Sequence, residues 1–443
     1  MQETLTAAPS LTPREQRLER AGSRLQAIAI LNAIFAVGLM VIGMIVALMA
    51  MPQTFSLLKS GLLFRYPNAD DTALLVTILL LLINTSVLLV TMVGVLAQEF
   101  WAFLTALIAF IGNLALLILF GFTPAILTLI ALLWSLIVLI PDLQAFRVNP
   151  VMLKELRERM RGARAFAVIT VYLGLMSAFT ILLYIAYSPI NRGFVASVTG
   201  ELGRVLFAAV VGIEMILIIF IAPAFTAGAV TGERERKTYD LLQITLLPRP
   251  SFIIGKLESA LGYIFLLLLA AIPLQSIAFL FGGVSETELL ISFVILVVTA
   301  ITLGTVGLFF STLTERTLTA SVRSYTFAFA FIFGLPIALS ILLGIAQGIA
   351  YDAGGTFRGS PGAEALLIYL QQLVISLNPI TAGLGTQTLL INGQTLGFWS
   401  QTLSSNGGSI PIASPWISFT ILYLVISAVL ITLSIRQIRR TEL

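Results

Sequence analysis

Apolar residues in this chain fall in long unbroken blocks separated by short polar punctuation. Neither the strict alternation of a half-buried strand nor the apolar stripe of a soluble helix is seen. A run of about 20 apolar residues, rising 1.5 Å per residue, crosses the roughly 30 Å hydrocarbon layer of a bilayer. Ten blocks of that kind are predicted as helices, at about 27–50, 73–97, 100–120, 124–146, 166–187, 203–230, 252–281, 289–312, 324–348 and 416–435. Between 73 and 146 the breaks are thin, at Gln98–Glu99 and at Gly121-Phe122-Thr123-Pro124. Hydropathy alone fits three or four spans over residues 1–148 as a whole.

Charge resolves that ambiguity. Arg14, Arg17, Arg20 and Arg24 precede the first block, and Arg147, Lys154, Arg157, Arg159, Arg161 and Arg164 follow the fourth. Basic loops stay cytoplasmic, and two cytoplasmic ends require an even number of crossings, hence four. The same alternation makes 20 of the 25 basic residues cytoplasmic; Lys59, Arg65, Arg192, Arg204 and Arg358 fall outside. Both termini are expected in the cytoplasm, in a plasma (inner) membrane. The chain divides near 148 into a four-span block, 1–148, and a six-span block, 149–443. A stretch at about 349–415, rich in Gly, Ser, Thr and Asn, is expected on the far side. Its apolar segment 364–377 is short enough to be re-entrant or interfacial.

Composition agrees with an all-α integral membrane protein: 58% of residues are apolar and 10% charged, against about a quarter charged in soluble domains. Cysteine and histidine are absent, which excludes disulfides, thiol or imidazole catalysis and Cys/His metal centres. No catalytic or metal-binding residue is expected, and no nucleic-acid partner. The first apolar block is about 24 residues, longer than the 7–15 of a signal-peptide core, and is expected to remain as a span.

Three segments carry chemistry. Asn149-Pro150 begins a helix-start signal, and 149–164 then reads as an amphipathic basic helix on the membrane surface. Leu153, Leu156 and Met160 share one face, and Lys154, Arg157 and Arg161 lie on the polar face. A plain anchor before the next span reads equally well. Segment 231–256 follows the small-residue stripe Ala224, Gly228 and Gly232. It holds the cluster Glu233-Arg234-Glu235-Arg236-Lys237 and then Leu241, Leu242, Ile244, Leu246 and Leu247. Aliphatics in a cytoplasmic loop imply a membrane or a partner. Third, Glu214 sits mid-span, where a carboxylate costs roughly 2.5–3.5 kcal/mol. It reads as a lining of a path or a dimer seam, or as a protonated carboxyl bonded to a neighbouring helix. Asn32, Asn84 and Asn113 read as interhelical hydrogen-bond partners.

Residues 222–256 resemble the signature of the ABC type-2 transporter permease family, in Ala227, Gly228, Glu233, Arg234, Thr238, Leu241, Leu242, Pro248, Gly255 and Lys256. Lys237 stands where glycine or another polar residue is common, and Leu247 replaces a threonine. The 149–166 segment and Leu377-Asn378-Pro379 resemble that family's surface helix and its Asn-Pro element before the last span. The resemblance covers about 149–443 and leaves the role of 1–148 open. It implies half of an exporter that pairs with a second permease half, as homodimer or heterodimer, in the lipid bilayer. It also implies a coupling segment, here with Glu233, Arg234, Thr238, Leu241, Leu242, Pro248, Gly255 and Lys256, that docks on a separate ABC ATPase carrying ATP and Mg. Gly255-Lys256 lacks the upstream glycine and the Ser/Thr of a P-loop, so no ATP site is expected in this chain. The alternative is an ion-gradient-driven secondary transporter, which calls for several intramembrane carboxylates; Glu214 is the clear one. An intramembrane enzyme would need clustered acids, and Glu286 and Glu288 stand apart from others.

Overall fold

The computed structural model describes residues 13–48, 72–141, 149–161, 163–187, 198–239, 248–352, 354–392, 397–405 and 407–440. Two compact units divide at Asn149/Pro150.

In the first unit, α1 (Pro13–Leu48), α2 (Thr72–Ala97), α3 (Phe100–Phe120) and α4 (Ala125–Leu139) surround Leu39, Leu81, Phe122 and Leu129. The thin breaks are tight helix ends. Gln98 takes a left-handed φ of 61°, and Gly121 one of 66°. Gly121 and Phe122 return their N–H groups to Leu117 and Leu116, a Schellman ending that satisfies terminal carbonyls. The asparagines are interhelical partners: Asn84 and Asn113 exchange two amide bonds of 2.8 and 3.0 Å, and Asn32 donates to Thr128 at 3.0 Å. The predicted fourth span, 124–146, is described as 15 helical residues followed by a turn at Ile140 and Pro141. The rest of the prediction lies outside the described residues.

The second unit contains α5 (Pro150–Met160), α6 (Ala163–Tyr187), α7 (Val198–Ala227), α8 (Thr231–Glu235), α9 (Arg249–Leu280) and α10 (Glu286–Leu313). A long rod follows: α11 (Thr317–Phe329), a π turn (Ala330–Gly334) and α12 (Leu335–Ala350). The unit ends with α13 (Pro361–Leu377), α14 (Pro379–Ile391), a hairpin of β1 (Phe398–Thr402) and β2 (Ser409–Ala413), and α15 (Pro415–Arg440). Among the described residues of the whole chain, nine helices are long and apolar enough to cross a membrane, and up to ten if α13 and α14 count as one.

Of the long helices in this unit, α10 is the most enclosed. Ile219 of α7, Leu296 and Leu303 of α10, and Phe419 and Tyr423 of α15 form the core around it. Gly307 lets α7 approach closely, since a Cβ there would collide with the Thr226 hydroxyl and the Pro223 carbonyl. Several polar groups are satisfied across helices, as a membrane interior favours. Thr302 meets Ser427 at 2.9 Å, and the Tyr423 hydroxyl donates to the Leu377 carbonyl at 2.8 Å.

The stretch expected as polar and extramembranous, 349–415, holds more regular structure than predicted. Helices α13 and α14 meet at 117°, so the apolar 364–377 segment is one arm of a bent pair. At the bend the Asn378 side chain accepts from the Ile380 N–H at 2.8 Å and donates to the Ile332 carbonyl at 3.0 Å. That carbonyl sits in the π turn, and Pro336 four residues on has no N–H to offer it. Asn378 therefore caps α14 and occupies a carbonyl that proline leaves open. The hairpin pairs Phe398 with Ala413 through Thr402 with Ser409, antiparallel. It is pinned to α13 by Glu364, which accepts from the Ser404 N–H (2.8 Å), the Ser404 hydroxyl (2.7 Å) and the Ser405 N–H (3.0 Å).

Candidate functional site

The charge cluster that follows α7 is sorted residue by residue by the helix ends around it. The chain turns at 228–230, and the first N–H groups of α8, which lack partners within a helix, go to a neighbour. Val230 and Thr231 both donate to the Ser311 hydroxyl of α10, at 2.9 and 3.1 Å. Arg234 donates to the carbonyl of Thr314, the C-cap of α10, at 2.8 Å. Glu235 accepts from the N–H of Thr317 at 2.7 Å and from its hydroxyl at 2.9 Å, at the start of α11. A cation thus stands at the negative end of one helix dipole and an anion at the positive end of the next. Arg236 and Lys237 are left exposed.

Glu233 turns the other way. Its carboxylate accepts from the Lys256 ammonium at 2.7 Å and from the Thr238 hydroxyl. The expected helix at 252–281 takes in Gly255 and Lys256; α9 begins slightly earlier, at Arg249, and both residues are buried inside it. Pro248 is the N-cap of that helix. Lys256 is 4% exposed and also pairs with Glu155 of α5, whose second oxygen accepts from Ser259 at 2.9 Å. A buried ammonium needs such partners. It joins α5, α8 and α9 at one point. Two carboxylates hold it, and it sits within a helix rather than in a glycine-rich loop, so the Gly-Lys pair has no phosphate-cradle geometry.

Helix α5 presents two faces. Inward, Leu156 packs against α9 and Glu155 meets Lys256. Arg159 donates to the Phe225 carbonyl at 3.3 Å, with its guanidinium 5.5 Å from that ring. Outward, Lys154, Arg157 and Arg161 are exposed. Leu153 and Met160 do not join Leu156 in the packed face: they are 45% and 46% exposed. The helix is also shorter than 149–164, ending at Met160.

Of the predicted coupling residues, Glu233, Thr238 and Lys256 come together, and Arg234 stands beside them on the α10 terminus. Leu241 and Leu242 lie outside the described residues. Lys237 has a left-handed φ of 57° just past the C-cap Arg236. A residue in that conformation after a helix end is most often glycine, which accounts for the glycine common at this place in the resembling family. Tyr239 stacks edge-on with Phe252 at 6.5 Å and lies under Arg234.

Glu214 is 1% exposed, enclosed between α7 and α9. Its Oε2 accepts from the Gln275 amide at 2.7 Å. Glu214 Oε1 and Gln275 Oε1 have no hydrogen-bond partner among the described residues. The neighbouring-helix bond is thus present in the fold.

Sequence reasoning missed Glu155, Ser311 and Gln275 as partners, and Glu364 as the hairpin anchor. Glu364 carried a usable signal, an acid inside an otherwise apolar helix. The hairpin carried another, Asn406-Gly407 between two apolar runs. A serine such as Ser311 inside an apolar block carries none.

No curated protein matches the chain. A family model described as ABC-2 family transporter protein matches residues 149–440, which takes in α5 through the end of α15, the Lys256 hub and the bent α13–α14 pair. With its multiple apolar helices and this match, the chain belongs to the ABC-2 transporter family as a multi-pass membrane permease.

Proposed function

We propose that this permease is one half of an exporter in the plasma (inner) membrane, with both termini cytoplasmic. A second permease half completes it, and ATP with Mg is bound and hydrolysed on a separate ABC ATPase. Residues 231–256 are the coupling segment. The observation that carries this reading is the bracing of 231–239. Lys256 ties it to α5 and α9, Arg234 to the end of α10 and Glu235 to the start of α11. A push on the adjoining 240–247 stretch is therefore passed to four helices instead of being absorbed by a slack loop. Glu233, Thr238 and Lys256 serve as internal struts in this scheme. Arg236, Lys237, Leu241 and Leu242 meet the ATPase.

Truncating a buried apolar anchor costs about 2 kcal/mol or more, roughly 30-fold in affinity. Leu241→Ala with Leu242→Ala is expected to release the ATPase from the purified complex and to uncouple its hydrolysis from transport, at unchanged membrane level. Full retention of the ATPase with normal transport would remove this segment from the coupling role. A second reading, ion-gradient-driven transport, has the buried Glu214–Gln275 pair in its favour. Transport that stops when the proton gradient is collapsed, with ATP still present, would decide for it.

A further inference from the structure

Helices α7, α10 and α14 enclose a partly open cavity of about 90 Å³. That is the share of about three waters in the liquid, or of an ammonium head with a few carbons. Its walls are mostly apolar, with Phe207, Ile291 and Leu390 among them. Glu288, Ser292 and Gln387 add oxygen acceptors, and among the described residues no Lys or Arg lines it.

Glu288 sits in the first turn of α10, in a Ser285-x-x-Glu288 capping arrangement. Ser285 caps the helix by accepting from the Glu288 N–H at 3.2 Å, and its hydroxyl meets Glu288 Oε1 at 3.2 Å. Capping uses one carboxylate oxygen. The other, Oε2, is buried without a hydrogen-bond partner among the described residues, on a residue only 7% exposed. A helix N-terminus on the surface would satisfy its carboxylate with water. A half-used carboxylate in a mostly apolar cavity is an acceptor that a cationic donor can use.

We infer that this cavity binds a lipophilic primary ammonium: a charged –NH3+ head against Glu288 Oε2, with the Ser292 and Gln387 oxygens as further acceptors, and a single alkyl chain along the apolar wall. Three donors on an ammonium match three acceptors. The absence of a basic side chain in the lining disfavours anions and zwitterions. The site stands on its own geometry and does not depend on ATP coupling.

The test uses the full chain in phosphatidylcholine nanodiscs and a diazirine-bearing dodecylamine, with labelled peptides mapped by mass spectrometry. Saturable labelling is expected on 286–295 and 379–391, competed by dodecylamine and not by dodecanol. Glu288→Gln keeps the cap and the size, and is expected to weaken labelling about tenfold or more, the loss of one charge-assisted bond. Gly383→Leu tests the cavity independently. An added Cβ there meets only Ile295, at 3.9 Å, so the side chain can occupy the space, and labelling is expected to vanish. Phosphatidylethanolamine placed in the nanodisc, a two-chain zwitterion, is expected not to compete, and full competition by it would overturn the proposal. Labelling unchanged in Glu288→Gln, or equal competition by dodecanol, overturns the proposal. If Glu288→Gln fails to fold, undiminished labelling of Gly383→Leu overturns it equally.

Discussion

Replacing Lys256 by methionine tests the bracing directly. The substitution keeps the helix and most of the side-chain volume but removes the ammonium that two carboxylates share. The side chains of Glu155 and Glu233 are 17% and 23% exposed, against 5% for Lys256. Removing one partner of a fully buried pair costs about 3–5 kcal/mol. Here both carboxylates keep some water and the hydroxyls of Ser259 and Thr238. The discounted cost is about 2–3 kcal/mol, or roughly 30- to 150-fold in a local opening equilibrium. The loss should be local, because the 231–239 segment leans on Lys256 while the α7–α10 crossing at Gly307 does not. Hydrogen exchange read by mass spectrometry is the assay. Amides in 231–238 are expected to exchange faster by that factor, with the α10 core unchanged. Glu155→Gln should be milder, since Lys256 keeps Glu233. Lys256→Met combined with Glu155→Gln and Glu233→Gln should recover part of the loss, because no unpaired charge remains. Unchanged exchange in Lys256→Met, or an equal rise throughout the unit, would refute the bracing argument.

Asn378→Asp keeps the acceptor for Ile380 but sets a negative charge against the Ile332 carbonyl. It is expected to cost about 1–3 kcal/mol in thermal unfolding, with a smaller penalty in a Pro336→Ala background that restores a backbone N–H. Equal penalties in both backgrounds would separate Asn378 from the proline gap. For Glu214, replacement by Leu should leave folding intact and impair transport, while Gln, which keeps a polar partner for Gln275, should be milder. A fully active Leu variant would take Glu214 out of the mechanism. Orientation is readable in this cysteine-free chain: Thr402→Cys, at an exposed hairpin position, should react with an impermeant maleimide on intact cells, and reaction only after lysis would invert the topology.

Span positions, the division near 148, the tight breaks at Gln98 and Gly121, and the pairing role of the buried asparagines were all legible in the sequence. Each depends on local quantities: the length of an apolar run, a turn-forming residue, or the cost of an amide in hydrocarbon. An apolar run does not mark where a helix begins, and α9 starts at Arg249, just before the expected 252. The charge cluster at 233–237 was visible as a cluster, yet its composition could not say which charge goes where. That assignment belongs to the tertiary structure, which brings the C-terminus of α10, the N-terminus of α11 and the Lys256 ammonium within hydrogen-bond reach of consecutive residues. Asn378 shows the same limit. Its capping role follows from Asn-Pro alone, but its second bond exists only because a proline 42 residues earlier frees a carbonyl and the fold places the two together. Hydrophobic periodicity is written along the chain; the partner of a buried charge is decided by which helix ends the packing sets beside it.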